Sequence, residues 1–224
     1  MPLQLHPPRE YALLLTGLTL LAAAAWFDRR LDPVYSPWTG NYQGDEINPV
    51  DRLGYTTRDE RAGNLADFGL YGGPTLPLLL SFDPVGRSHY PTVLLIWLQT
   101  MLLNFSLSSL IKNTANRPRP YVYTADWHPE QLLTRKDRAA FLSGHAANAA
   151  AGSVLFASLL EVYDRPLAPY GRILAVGVAG LTAFLRVKAG KHWITDAAAG
   201  VLLGGAVAGA VVRMHGRGGS GLEG

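Results

Sequence analysis

Six apolar stretches alternate with polar segments along this chain of 224 residues. Residues 91–111 and 141–160 contain no Lys, Arg, Asp or Glu, and residues 193–212 contain Asp196 as the only one. A helix of about 20 apolar residues is long enough to cross the hydrocarbon core of a bilayer. These three stretches therefore predict membrane-spanning helices.

Residues 11–27 form a shorter apolar stretch with two interpretations. Arg9 before it and the alanines 22–25 within it are typical of a secretory signal, but its length also suits a first membrane helix. We interpret it as a helix, because further apolar stretches follow and keep the protein in the membrane in either case.

Residues 68–82 and 166–185 complete the set of six. The first predicts a helix that is kinked or broken near its start, because it contains Gly72, Gly73, Pro74 and Pro77. The second is apolar apart from Arg172, whose long side chain can reach the headgroup layer. The predicted fold is an all-α, polytopic membrane bundle of about six transmembrane helices, forming a single domain over residues 1–224.

Two long polar connections, residues 28–67 and 112–140, separate these helices. They contain aromatic residues suited to a membrane interface: Tyr35, Trp38, Tyr121, Tyr123 and Trp127. With six crossings, the connections after helices one, three and five emerge on one side of the membrane, and the 28–67 connection could cover a site formed there. Small residues in the last helix favour packing inside the bundle over a dimer interface: Gly200, Gly204, Gly205 and Gly209.

Composition narrows the possible function classes. The chain is 48% hydrophobic and 17% charged, which lies between ordinary soluble and membrane proteins. The absence of Cys excludes disulfides, thiolate metal ligands and Cys nucleophiles. A net charge of +3, without a basic low-complexity arm, does not support nucleic acid as a partner.

Candidate anion-binding residues lie after the third helix and at the start of the fourth. Lys112 ends the third helix, and the prolines around Arg119 favour an extended backbone. Each cation taken alone could be only a positive helix flank. Ser143 is a natural N-cap, Gly144 lets a ligand approach the main chain, and the free amides of a helix start bind anions. His145, in the first turn, is either functional or merely an interfacial polar residue.

The segment between helices five and six contains Arg186, His192 and Asp196. His192 and Asp196 are four residues apart, so on one helix the carboxylate can accept a hydrogen bond from one imidazole nitrogen. This spacing predicts an activated nucleophile, and the alternative is a pair that only links two helices. Because the crossings bring all these groups to one membrane face, we expect a site that binds phosphate and transfers a phosphoryl group.

The pattern Lys-x6-Arg-Pro, Ser-Gly-His and Arg-x5-His-x3-Asp, over roughly residues 90–215, resembles the type 2 phosphatidic acid phosphatase family, relatives of vanadium haloperoxidases and bacterial acid phosphatases. The resemblance implies that His192 is a nucleophile forming a phosphohistidine, that Asp196 orients it, and that His145 is the general acid. It also implies that phosphate is bound without a metal or cofactor by Lys112, Arg119, Ser143, Gly144 and Arg186.

Two positions depart from the family pattern. Leu142 stands where the family usually has Pro, and Leu185 stands where it usually has Ser. The first loses a rigid approach to the helix, and the second loses one possible hydrogen bond near the phosphate. Neither change removes a charged participant.

The leading hypothesis is an integral-membrane phosphatase acting on a lipid phosphate monoester or diphosphate. Phosphatidic acid, phosphatidylglycerol phosphate, a polyprenyl diphosphate and a glycolipid phosphate all present the required group. The alternatives are a vanadate-dependent peroxidase and a non-catalytic phospholipid-binding or transport protein. We expect a multi-pass protein of the cytoplasmic membrane of a bacterium. The resemblance implies an outward-facing site, although the site-side segments hold 14 of the 20 Lys and Arg, against the positive-inside tendency.

Overall fold

A computed structural model of the protein describes residues 3–30, 34–35, 47–54, 59–123 and 132–216. Its α-helices are α1 (Pro7–Arg29), α2 (Pro49–Arg52), α3 (Glu60–Thr75), α4 (Pro84–Ser88), α5 (Tyr90–Ala115), α6 (Gly144–Val162), α7 (Ala168–Lys188) and α8 (Ile194–His215). Two 3₁₀ helices span Leu76–Phe82 and Pro120–Tyr123, and a two-residue antiparallel pair joins β1 (Val34–Tyr35) to β2 (Leu132–Leu133). The fold is an all-α membrane bundle, as predicted.

Each predicted apolar stretch coincides with a helical segment. Four segments of the described chain are long and apolar enough to cross a membrane: α1, α7, α8 and the segment Tyr90–Tyr123, which contains α5. Helix α6 is instead rich in Ala, Gly and Ser and is largely buried among other helices. The count of six membrane crossings stays a prediction.

Helix α6 lies at the centre of the bundle. It packs against α3, α5, α7 and α8, and α1 packs on the outside against α5. The approach of α8 to α6 requires glycine, because a Cβ at Gly204 would lie 2.1 Å from the main-chain oxygen of Ala147. The interpretation of this small-residue face as packing inside the bundle is confirmed for Gly200 and Gly204, which both contact α6.

The predicted break in the second apolar stretch is confirmed. Helix α3 ends at Thr75, one residue after Pro74, and the chain continues as the 3₁₀ helix that contains Pro77. Proline lacks an amide donor and disturbs the preceding helical turn, which explains the change of helix type. The main-chain oxygen of Pro74 accepts a hydrogen bond of 2.7 Å from Trp97 Nε1 on α5.

The sequence predicts that the connections after its first, third and fifth apolar helices lie on one side of the membrane. In the structure these connections meet at one end of the bundle, called here the site end. At this end α5 and α7 end, and α6 and α8 begin. The pairing of β1 with β2 joins the first two connections. Residues 47–54, called here the docking segment, contact the start of α8. These contacts agree with the placement of the three connections on one side. Trp38 and Trp127 lie outside the described residues.

Helix α1 is attached to the rest of the bundle at both ends. Asn113 Nδ2 donates a hydrogen bond of 2.8 Å to Ala24 O near the site end. At the opposite end, Glu10 Oε2 lies 2.8 Å from His215 Nε2 and accepts a hydrogen bond of 2.8 Å from Gln99 Nε2. Such contacts favour the interpretation of residues 11–27 as a membrane helix that belongs to the bundle.

Candidate active site

Three cationic side chains of the predicted phosphate site meet at the site end. Lys112 lies in the last turn of α5 and Arg186 in the last turn of α7, and Lys112 is close enough to Arg119 and Arg186 to be repelled by both. Arg119 and Arg186 are only 9% and 7% exposed, and within the described part of the chain the Nε atom of each is buried without a hydrogen-bond partner. Converging positive charge with unused donors suits an anionic ligand.

The start of α6 lies beside these cations. Ser143 is the N-cap, as predicted, and its Oγ accepts a hydrogen bond of 3.4 Å from Ala146 N. A Cβ at Gly144 would lie 3.2 Å from Lys112 Nζ, so the absence of a side chain lets the ammonium group lie close to the main chain there. The first turn of a helix offers amide donors and a partial positive charge, which add to the attraction for an anion.

His145 is held by a residue that the sequence analysis did not identify. Its Nε2 atom lies 2.9 Å from Oδ1 of Asp67, which belongs to α3. The available signal was that Asp67 directly precedes an apolar stretch and lies in the connection assigned to the site side. With one ring nitrogen bound to a carboxylate, the other is left for proton exchange with a ligand.

His192 lies between α7 and α8, two residues before the first residue of α8. Its Nδ1 atom donates a hydrogen bond of 2.7 Å to Ala140 O, while Asp196 Oδ2 is 4.0 Å away. The predicted hydrogen bond from His192 to Asp196 is therefore wrong. The i, i+4 relation places two side chains on one face only inside a helix, and Trp193 between them is extended, with φ −74° and ψ 162°.

The surroundings of His192 keep its ring neutral. Burial and the nearby positive charges of Arg119, Arg186 and Lys112 lower the pKa of His192 well below its usual value of 6.5, against the opposing effect of the hydrogen bond to Ala140. In a neutral ring that donates from Nδ1, the Nε2 atom carries the lone pair. This is the protonation state that a nucleophilic imidazole requires.

Asp196 has different partners from the one predicted. Its Oδ1 atom accepts a hydrogen bond of 2.5 Å from Arg117 Nη1, and its Oδ2 atom accepts one of 2.8 Å from Trp193 N. Arg117 also forms an ion pair with Asp51 of the docking segment. Asp51 lies outside the three sequence motifs, and Arg117 is an unspecified position within Lys-x6-Arg-Pro. Their spacing in the chain gave no signal of this contact.

Asp137 supports the loop that carries Arg119. Its main-chain oxygen accepts a hydrogen bond of 2.8 Å from Arg119 N, and its carboxylate accepts hydrogen bonds from the side chains of Tyr121 and Thr134. Burial alone would raise the pKa of Asp137, but the hydrogen bonds from Thr134 and Tyr121, with the charge of Arg119, lower it overall. The ionised carboxylate therefore stabilises the folded loop.

Comparison with known proteins gives one family. The model of the PAP2 superfamily matches residues 93–219, which is more than half of the chain. No curated protein and no solved structure matches the chain. The matched region contains every predicted site residue from Lys112 to Asp196, whereas Asp51 and Asp67 lie before it. The chain therefore belongs to the PAP2 superfamily.

Proposed function

We propose that this protein is an integral-membrane phosphatase that hydrolyses a lipid phosphate monoester or diphosphate through a phosphohistidine at His192. Proteins of the PAP2 superfamily are phosphatases, and the apolar helices fit a membrane phosphatase. The observation that carries the proposal is that His192 is buried near three cations and is oriented by the hydrogen bond from its Nδ1 atom to Ala140 O. A site with this charge and an unprotonated imidazole nitrogen suits phosphoryl transfer.

In the first step, His192 Nε2 forms a bond to phosphorus. The hydrogen bond from Nδ1 to Ala140 O orients the ring and directs the Nε2 lone pair away from Ala140. The three cations bind the non-reacting oxygens and stabilise the charge of the transition state. The bond between phosphorus and the leaving oxygen breaks as that oxygen takes a proton from His145.

His145 moves the proton in both steps. Burial and the charges of Arg186 and Lys112 oppose protonation of its ring, whereas the hydrogen bond to Asp67 favours it. The negative charge of a bound phosphate offsets these cations, so substrate binding favours the acid form of His145. In the second step, water attacks the phosphohistidine, His145 takes a proton from that water, the N–P bond breaks, and orthophosphate leaves.

A lipid substrate is supported by the apolar surface around the site. Helix α7 exposes large apolar side chains along its length, among them Ile173, Val176 and Phe184. At the site end, a groove of about 570 Å³ is lined mainly by apolar residues: Leu53, Ala183, Phe184, Val187, Ile194 and Ala198. A phosphate pocket at the end of lipid-exposed helices suits a substrate whose headgroup enters the pocket while its chains stay in the bilayer. Phosphatidic acid, phosphatidylglycerol phosphate, a polyprenyl diphosphate and a glycolipid phosphate fit this description. We place the enzyme in the cytoplasmic membrane of a bacterium, with the site facing outward.

The test is phosphate release from a panel of these lipids by detergent-purified protein, with a metal chelator present throughout. His192→Ala should reduce the rate by about 10⁴-fold or more, as expected when a nucleophile is lost. His89→Ala is the matched control, because His89 lies at the opposite end of the bundle, before α5. Phosphate release at the wild-type rate by a folded His192→Ala protein would contradict the mechanism, as would loss of activity to the chelator. Lipid binding without turnover would favour a binding protein, and bromide oxidation with vanadate would favour a peroxidase.

A further inference from the structure

We propose that Arg117 is a positioning residue that holds the turn carrying His192, with Asp51 of the docking segment as its second anchor. This inference rests on the proposed function, because it assigns a role to residues behind the proposed nucleophile. Arg117 stands two residues before Arg119, at one of the unspecified positions of the Lys-x6-Arg-Pro motif. Its role follows from its contacts.

The guanidinium of Arg117 joins two carboxylates from distant parts of the chain. Nη1 donates to Asp196 Oδ1 at 2.5 Å and to Thr195 Oγ1 at 2.8 Å, and Nη2 donates to Asp51 Oδ2 at 2.6 Å. Both carboxylates are fully buried. The planar fork of an arginine can satisfy two acceptors at once, which a lysine ammonium cannot do with the same geometry. Arg117 therefore fixes the docking segment and the start of α8 relative to each other.

Asp51 also accepts hydrogen bonds from donors in the first turn of α8. Trp193 precedes this helix and cannot supply the oxygen that usually caps a helix start, so an amide of the first turn needs another acceptor. Asp51 Oδ1 accepts a hydrogen bond of 2.9 Å from Thr195 N, and Oδ2 accepts one of 2.8 Å from Thr195 Oγ1. The docking segment thus caps the helix that begins two residues after His192.

The main chain of Arg117 also supports His192, through hydrogen bonds that involve Ala140. Arg117 O accepts a hydrogen bond of 3.0 Å from Ala140 N, and Ala140 O is the acceptor for His192 Nδ1. The next carbonyl, Pro118 O, accepts a hydrogen bond of 3.0 Å from Trp193 Nε1. One short segment therefore supports both the imidazole of His192 and the residue that follows it.

Arg117 differs from the phosphate-binding cations in its bonding. Both of its terminal nitrogens bind carboxylates, whereas Arg119 and Arg186 each keep a buried Nε without a partner among the described residues. We therefore expect phosphate binding by Arg119 and Arg186 not to require the Arg117 guanidinium. A change at Arg117 should therefore lower kcat through misplacement of His192 and leave phosphate binding almost unchanged.

The experiment compares Arg117→Lys with Arg165→Lys in the full-length, detergent-purified protein. Arg165 is a matched control because it pairs with Asp83 at the opposite end of the bundle and its side chain is 27% exposed, as is that of Arg117. Phosphate release from a lipid phosphate gives kcat and KM, and calorimetry gives the Kd of inorganic phosphate. We expect Arg117→Lys to lower kcat by about 100-fold, because small misplacements of a reacting group have effects of this size. The Kd of inorganic phosphate should stay within about threefold of the wild-type value, since this binding does not depend on nucleophile alignment.

Asp51→Asn carries the same prediction and replaces Arg117→Lys if that variant does not fold. Wild-type kcat in a folded variant would overturn the inference. A parallel loss of kcat and phosphate affinity would also overturn it, because that pattern indicates a general disturbance of the site. His192→Ala, measured in the same series, separates the two proposals: if it is fully active, the proposed mechanism fails, and if it is inactive while Arg117→Lys keeps wild-type kcat, only the positioning role fails.

Discussion

Replacing Arg186 with Lys tests the phosphate pocket most directly. The substitution keeps one positive charge but removes the Nε donor, which is buried and has no partner among the described residues, and it removes the planar fork. A hydrogen bond to a charged group contributes about 1.5–3 kcal/mol. Since 1.36 kcal/mol corresponds to a tenfold change in an equilibrium constant, we expect Arg186→Lys to weaken phosphate binding by about 10- to 150-fold.

Removing the charge as well should weaken binding further. Two unit charges 4 Å apart interact by about 4 kcal/mol at an effective dielectric constant of 20. Arg186→Met loses this attraction for each phosphate charge. The repulsion of Arg186 by Lys112 and Arg119 is removed as well, but it acts with and without bound phosphate and so does not offset the loss of affinity. The expected order of phosphate affinity is wild type, then Lys, then Met.

The assay is the inhibition constant of inorganic phosphate against release of phosphate from a lipid in mixed micelles. Arg172→Lys is the matched control, because Arg172 lies on the same helix at the opposite end, with its side chain 70% exposed and paired with Glu161. Wild-type inhibition by phosphate in the Arg186→Lys protein would refute the assignment of Arg186 to the pocket. An equal effect of Arg172→Lys would show that the change is not local.

Three further predictions concern packing, orientation and pH. Gly204→Ala should lower the midpoint of thermal unfolding, because its Cβ would lie 2.1 Å from a main-chain oxygen of α6 and overpacking costs about 1–3 kcal/mol. The control is Gly209→Ala, whose Cβ would meet no atom closer than 4.0 Å and which should leave the midpoint unchanged. Equal midpoints for the two variants would contradict the packing described. In this chain without Cys, a membrane-impermeant thiol reagent on intact cells should label Lys136→Cys at the site end but not Ser88→Cys at the other, and the reverse result would overturn the proposed orientation. Because the folded-state pKa of Asp137 is lowered, its contribution to stability is complete above the unfolded-state pKa of about 3.9 and is lost as the pH falls through the lower folded-state value. Thermal unfolding of Asp137→Asn should therefore depend less on pH than the wild type below about pH 4, and identical acid sensitivity would contradict this role.

The helices were predictable because lipid-facing helices need apolar residues at almost every position. The second helix was predicted only in part: α3 begins at Glu60, within a polar region, and Asp59 caps it by accepting a hydrogen bond from Ala62 N. This half of α3 packs against α6 and α7 and carries Asp67 toward His145, so its residues serve contacts within the protein. A search for apolar stretches therefore does not identify such a segment as a helix.

The motif residues were also predictable, whereas their partners were not. The spacing of His192 and Asp196 indicated a hydrogen bond that a helix beginning at Ile194 does not allow. Asp67 could have been suggested from its place at the edge of an apolar stretch on the site side. The link from Arg117 to Asp51 joins residues 66 positions apart, and no local pattern indicates it.

Residue types and their order along the chain were enough to specify a helical membrane protein with cations and imidazoles gathered at one end. This much follows from local information, because hydrophobicity sets the crossings and the number of crossings sets the side. The identity of each hydrogen-bond partner came from the packing of distant segments: Ala140 for His192, Asp67 for His145, and Arg117 for Asp196. A main-chain carbonyl is present at every position, so the sequence does not indicate which one accepts a given hydrogen bond. An ion pair between remote segments exists only once their helices have packed.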